Sequence, residues 1–427
     1  MTKVVIIGGG WAGVGAAVAA KNAGADVVVL ERTDLLLGTG LVGGIMRNNG
    51  RFTATEEAIA MGGGEVFQVI DENCRHKNIE FPGHKHASLY DIATIEPAIK
   101  HLLEKKGIEL HLKSRVTDVE VVDGTIKSVK TADGDVYAGD VFVEATGSAG
   151  PQNNCTKYGN GCAMCILRCP TFGGRASVAG KIGIEEKMGQ KADGSYGAMS
   201  GSCKLMKESL SPEIQKRLNE TGVAIVPIPA ELRKGEAALA TKACQQYALT
   251  EFNENIILLD TGHAKLMSPF YPIEKLRKIP GFETARFEDP YSGGIGNSMR
   301  YMALSPRDNA LKVAGVKNLF CGGEKAGLLV GHTEAIVTGT LAGANAVRFI
   351  AGKPLVVIPE SLAVGDAIAH VNEMMKTEEG MRKKYTFSGA QYFKRMQELG
   401  LYKTDVAEIK AAVEKAGMTN VFMTKIV

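Results

Sequence analysis

The amino-acid sequence predicts an α/β fold: a parallel central sheet with a β-meander, an inserted α+β region and a small helical C-terminal segment. Three observations carry this. An apolar strand, a glycine-rich turn and a small-residue helix open the chain. Two Asp-Gly turns separate short alternating strands before residue 140. A second strand–glycine–helix segment follows residue 317.

With 427 residues the chain exceeds one ordinary core. The expected division is a discontinuous domain (1–150 and 280–352), an insertion (151–279) and a helical C-terminal segment (353–427). Hydrophobic content of 45% and charged content of 23% are those of a globular protein. A net charge of +3 gives no electrostatic pull toward nucleic acid or an anionic membrane. An apolar strand starts at Val4, leaving no room for a signal peptide, and no apolar run reaches 18 residues. The expectation is a cytoplasmic protein with reduced thiols and no membrane contact.

In order, Val4 to Ile7 read as a buried parallel strand. Gly8, Gly10 and Gly13 form G-x-G-x-x-G at the start of a helix that continues through Ala20 and stops at Gly24. Gly8 permits the turn, Gly10 admits a pyrophosphate to the backbone, and Gly13 lets the helix pack closely on the strand. Val27 to Leu30 form the second strand, with Glu31 at its tip, 18 residues after Gly13 and placed to accept a ribose hydroxyl. This is a Rossmann-like dinucleotide site, and Glu31 disfavours a 2′-phosphate. Asp123-Gly124 and Asp133-Gly134 mark the turns of the meander, which feeds an apolar strand ending in Ala145-Thr146-Gly147. Asn318 to Cys321 form another strand, followed by Gly322-Gly323-Glu324 and a small-residue helix from about His332. That helix also reads as a packing face for the first one.

Strand, glycine motif, acidic tip, meander and A-T-G together resemble the FAD domain of the glutathione-reductase-like flavoproteins. The resemblance implies FAD held by Gly8, Gly10, Trp11, Ala12, Gly13, Glu31, Arg32, Val116, Ala145, Thr146, Gly147, Gly322, Gly323, Glu324 and His332. It also implies that Glu324 meets the ribityl chain and that the helix from His332 points its N-terminus at the flavin ring. Pro280-Gly281-Phe282, Asp289-Pro290, Leu319-Phe320, Gly322 and the run Leu341-Ala342-Gly343 with Asn345, Ala346 and Arg348 resemble the GidA (MnmG) family and its relative TrmFO. Those are FAD enzymes of tRNA uridine modification. This chain departs from them in two ways. The segment after Arg348 is short beside the GidA helical region that engages tRNA and a partner GTPase. The loop "LLLGTGLVGGIMRNNGRF" lacks the cysteine that TrmFO uses, and that a disulfide reductase would also need. No second G-x-G-x-x-G follows a strand.

The insertion opens with Cys155, Cys162, Cys165 and Cys169, spaced C-x6-C-x2-C-x3-C before Pro170. Four chemistries fit. The last three cysteines and the proline mirror half of a ferredoxin run, so a [4Fe–4S] cluster with all four as metal ligands is placed first. A redox or nucleophilic Cys162/Cys165 pair beside the flavin is second. Buried structural thiols and a zinc site complete the set. Ser211 is expected to cap a helix over 212–221, "IPAELRKGEAALATKACQQYALTEF" reads as a further helix, and "NIILLDTGHAKL" as strand and turn. Cys321 reads as core, and Cys74, Cys203 and Cys244 as scattered thiols. His84 and His86 could meet a substrate, and Arg168, Arg175 and Arg300 an anionic one, but all five read first as solvated loop residues. His332 is a candidate donor to flavin or substrate. Tyr392, Phe393, Met396 and Leu399 share one face of a C-terminal helix, read first as core packing and second as a homodimer contact.

The expected function is an FAD-dependent oxidoreductase, with Cys162, Cys165 and His332 as catalytic candidates. Its substrate would be a small molecule, and NAD(P)H or a redox protein would exchange electrons with it. The alternative is a GidA/TrmFO-like flavin- and folate-dependent tRNA-modifying enzyme, for which nucleic acid would be the partner.

Overall fold

A computed structural model describes residues 2–147, 172–191, 194–196, 198–200, 204–233, 235, 247, 249–267, 271–288, 298–300 and 302–427. The central sheet has five parallel strands. Their order is Leu319–Cys321, Val141–Glu144, β1 (Lys3–Ile7), β2 (Asp26–Leu30) and Glu109–His111. β1 is buried from Val4 to Ile7, as a central strand covered on both faces must be. Helix α1 (Trp11–Asn22) links β1 to β2. Its alanines and glycines let the long helix His332–Ile350 approach to backbone contact. A Cβ on Gly339 would lie 2.0 Å from the Ala12 carbonyl oxygen. The small-residue face is therefore used for packing, and the helix begins at His332 as expected.

The meander is the antiparallel set Val116–Val122, Thr125–Thr131 and Val136–Ala138. Asp123 and Gly124 both have positive φ (49° and 69°), the backbone of a primed hairpin turn. Asn318 ties the meander to the sheet: its side-chain amide donates to the carbonyls of Ile126 and Asp140 and accepts from the Ile126 N–H.

The described part of the insertion is built on a four-stranded antiparallel sheet, ordered Lys204–Leu205, Ala264–Leu266, Asn255–Asp260, Val223–Pro227. Ser211 caps the helix Pro212–Thr221, accepting from the Ile214 N–H. The run Ile256-Ile257-Leu258-Leu259 is apolar without alternation because both faces are covered. Ile256 and Leu258 join a core with Leu218 and Phe282, whereas Ile257 and Leu259 meet Phe81, Leu89 and Tyr247.

Three expectations are corrected. The stretch from Ile228 to Phe252 is not one helix where it is described. A 3-10 turn at Ala230–Leu232 gives way to extended Arg233, and a short helix occupies Glu251–Glu254. Pro229 biases Ile228 toward extended backbone, and the intervening residues largely lie outside the described set. His84 is not solvated: it opens the second strand of the hairpin Cys74–Phe81/His84–Tyr90 and is 2% exposed. It stacks on Phe81 at 4.7 Å and meets Tyr247 at 4.9 Å. Leu399 lies beyond the last turn of Ala390–Glu398 and is exposed, while Tyr392 and Met396 are buried. Among the described residues no helix is long and apolar enough to cross a membrane.

Candidate dinucleotide site

Three loops converge at the C-terminal edge of the parallel sheet: Gly8–Gly13, Ala145–Gly147 and Gly322–Glu324. Gly8 turns the chain with φ +105°, and a Cβ on it would lie 2.4 Å from the Ala145 carbonyl oxygen. Gly13 is needed for packing, since its Cβ would meet the Gly8 carbonyl oxygen at 1.8 Å. Gly10 differs: a Cβ there would meet nothing within 4 Å. It is the N-cap of α1 and has no side chain to satisfy the helix N–H groups. Open space above bare N–H groups is the cradle that a pyrophosphate fills. Trp11 and Ala12, buried at 3% and 5%, offer main-chain N–H groups to it.

Glu31 is oriented by the Gly9 N–H (2.8 Å to Oε2) and by Thr33, whose N–H and hydroxyl donate to Oε1 at 2.8 and 3.0 Å. Carboxylate oxygens have lone pairs to spare, so a ribose hydroxyl can still be accepted. The Glu31 main chain takes the Ser114 N–H, which brings buried Val116 to the same corner. Arg32 donates to the Gly173 carbonyl at 2.6 Å. Ala145 N–H donates to Ile7, Thr146 hydroxyl to Glu144, and Gly323 N–H to the Thr338 hydroxyl, which fixes the other two loops. Gly8, Gly10, Gly13, Glu31, Ala145, Thr146 and Gly323 are thus brought to one edge of the sheet.

His332 stands at the first position of the long helix, 6.4 Å from Trp11 and 6.2 Å from Tyr90 by ring centroids. Tyr90 donates to the Gly40 carbonyl at 2.6 Å and lies 3.3 Å from His332 Nδ1. Burial pushes its phenol above the ordinary tyrosine range, so it remains a donor. Lys265 reaches from the insertion sheet to the Val42 carbonyl at 2.6 Å. The turn Gly40–Gly43 is therefore held from both sides against His332.

Several residues escaped the sequence reading. Glu144, fully buried, accepts from the Val178 and Ala179 N–H groups at 2.8 and 2.9 Å. Lys325, also fully buried, lies 3.5 Å from Glu144 and pairs with Glu186. Burial opposes the lysine charge, but Glu144 and Glu186 outweigh it and hold the pKa above the ordinary lysine value. Arg51 pairs with buried Glu334. The available signal was a single charge inside an otherwise apolar run, as in Val141-Phe142-Val143-Glu144.

Cys155, Cys162, Cys165 and Cys169 lie outside the described residues, as do Arg168, Cys203, Cys244 and the Arg300 side chain. Among the described residues no cluster of His, Cys, Asp or Glu could hold a metal ion. Cys74 and Cys321 are free thiols, and burial pushes both up to about 12, so neither is a ready nucleophile. Arg175 is half-buried, and a Cβ built on Gly147 would lie 3.6 Å from its Nη1.

A family model described as glucose inhibited division protein A matches residues 3–275 and 261–354. Two curated relatives carry the name methylenetetrahydrofolate–tRNA-(uracil-5-)-methyltransferase TrmFO. The one from Dinoroseobacter shibae is 36% identical over 98 residues, which is 23% of this chain and 21% of the relative. The one from Methylobacterium radiotolerans is 37% identical over 98 residues, 22% of this chain and 19% of the relative. The match thus spans about a fifth of the length of those relatives. Aquifex aeolicus GidA shares the fold, with a TM-score of 0.65 over 97% of this chain and 76% of that one at 16% identity.

Proposed function

The chain belongs to the glucose inhibited division protein A family, a family of FAD flavoproteins, and on that premise we propose that it is a flavin- and folate-dependent enzyme acting on uridine in tRNA. The observation that carries this is the family match across residues 3–354, with TrmFO proteins among the relatives. The proposed FAD-binding parts are 1–150 and 280–352, with 151–279 as the substrate side and 353–427 as a helical support. FAD, when bound, supplies hydride transfer at its ring. Gly10 and the α1 N-terminus would hold the pyrophosphate, Glu31 would accept from the ribose, and Glu324 would meet the ribityl chain. His332, held by Tyr90 and the Gly40–Gly43 turn, would offer a ring nitrogen to bound flavin or substrate.

The test is incubation of the reduced protein with unmodified tRNA and methylenetetrahydrofolate carrying a labelled one-carbon unit. Label recovered in a modified uridine supports the proposal. A flavin-loaded protein that transfers none, across a tRNA pool and several reductants, overturns it.

A second reading, oxidation or reduction of a small molecule, is favoured by one observation. The segment Leu35–Phe52 has no cysteine, whereas Cys155, Cys162, Cys165 and Cys169 crowd the start of the insertion. Under that reading these four bind a [4Fe–4S] cluster, or Cys162 and Cys165 act as thiols. Iron content and the visible spectrum of anaerobically purified protein separate the two.

A further inference from the structure

The Arg51–Glu334 ion pair lies under the start of the long helix. Glu334 is fully buried and Arg51 is 4% exposed. Arg51 Nε lies 3.1 Å from both carboxylate oxygens, and the Thr386 hydroxyl and Phe387 N–H donate to Oε1 at 2.7 and 2.9 Å. Arg51 also donates to Asn48 Oδ1 at 3.2 Å. The pair occupies the space where Gly331 has no side chain. A Cβ there would lie 2.0 Å from Glu334 Oε2 and 2.1 Å from Arg51 Nη2. Gly331 is the N-cap of the long helix, so this buried charge pair is built into the helix start itself.

The fold says what that helix start faces. Glu31 at the tip of β2 marks the adenosine side of the dinucleotide. The other half must then cross β1 toward Val141–Glu144 and Leu319–Cys321, the strand that leads into the long helix. Gly339 packs level with Ala12, and the parallel helix begins seven residues earlier at His332. At 1.5 Å per residue its N-terminus reaches about 10 Å past the contact with Ala12. A pyrophosphate at Gly10 therefore leaves the flavin half beside that N-terminus. The helix dipole there favours the negative charge of a reduced flavin. Glu334, in the first turn, opposes it, and Arg51 cancels Glu334.

We propose that Arg51 and Glu334 are positioning residues that balance charge at this helix start and thereby set the reduction potential of bound FAD. This rests on the FAD reading above. It gives the two residues opposite effects although both hold the same structural joint.

The experiment uses the full FAD-loaded chain, with dye-equilibrated anaerobic reduction and sulfite as a probe whose reversible addition reports how well the site accepts negative charge. Glu334→Gln is near-isosteric. It should tighten sulfite binding about tenfold and raise the potential by about 30 mV for the two-electron couple. Arg51→Gln should weaken sulfite binding about tenfold and lower the potential equally. The double variant should return close to the parent, and Arg51→Lys should stay there. Melting temperature should fall in both single variants, so opposite-sign potentials separate charge balance from packing. Glu334→Gln alone is sufficient to overturn the proposal: with flavin bound, an unchanged or lowered potential refutes it. Same-direction shifts in the two single variants refute it as well. A purified parent chain that takes up no FAD would refute the cofactor reading itself, and this inference with it.

Discussion

Gly43 and His332, 289 positions apart, share one volume: a Cβ on Gly43 would lie 1.5 Å from His332 Cε1. The imidazole keeps its place only because residue 43 has no side chain. The Tyr90 hydroxyl, which donates to the Gly40 carbonyl, lies 3.3 Å from His332 Nδ1. Substitution of Gly43 by Ala must turn the ring or lift the turn. We expect about tenfold weaker FAD binding, equal to about 1.4 kcal/mol. The double variant Gly43→Ala/His332→Ala should recover most of that loss, because the methyl then fills the vacated ring space. Flavin-fluorescence titration checks this, and a double variant no better than the single one would exclude the steric account.

Gly10 and Gly13 should separate ligand binding from folding. At Gly10 a methyl group enters open space, so Gly10→Ala should melt close to the parent temperature while losing dinucleotide affinity. At Gly13 it enters the Gly8 carbonyl, and overpacking there should cost about 1–3 kcal/mol or more. Thermal melts of the flavin-free proteins, beside the titrations, would contradict this if Gly10→Ala were the less stable variant.

Lys325 joins the end of the parallel sheet to the segment carrying Glu186. Its removal strands two carboxylates, one of them wholly buried. Lys325→Met should destabilise the protein by about 3–5 kcal/mol. Adding Glu186→Gln should restore part of the loss. Denaturant unfolding measures both; a loss below about 1 kcal/mol would mean that the Glu144 bonds to Val178 and Ala179 suffice without the lysine.

Lys384 supplies a pH test. It is 8% exposed and its ammonium donates to the Gln190 carbonyl at 2.8 Å. Burial lowers its pKa to about 8 from 10.5. The folded lysine therefore releases its proton near pH 8, while the unfolded one holds it to about 10.5. Between those values the unfolded chain binds more protons, so rising pH favours the folded state. Relative to Lys384→Met, the parent should gain stability from pH 8 to 10.5, by about 1.4 kcal/mol per pH unit at most. Paired melts across that range check the sign, and a parent that loses ground would reverse it.

Much of the parallel-sheet part was legible residue by residue. The turn from Ile7 to Gly13 is built from neighbours, so its glycines carry their roles in their spacing. The same holds for Asp123-Gly124 and for Ser211 before Pro212. The insertion was read less well. Its proline-broken stretch after Ile228 imitates helical composition. Histidine 84 looked polar and exposed because nothing local shows that Phe81 and Tyr247 enclose it.

Local rules therefore settled that this chain forms a strand–glycine–helix turn with an open, uncapped helix start, since φ preferences and backbone N–H groups act over a few residues. Tertiary structure alone decided which charges neutralise one another. Arg51 with Glu334, and Lys325 with Glu144 and Glu186, meet across 139 to 283 positions. No periodicity encodes such partners. They are chosen by burial, which makes an unpaired charge too costly to leave beside the helix ends and strand ends where the cofactor is proposed to sit.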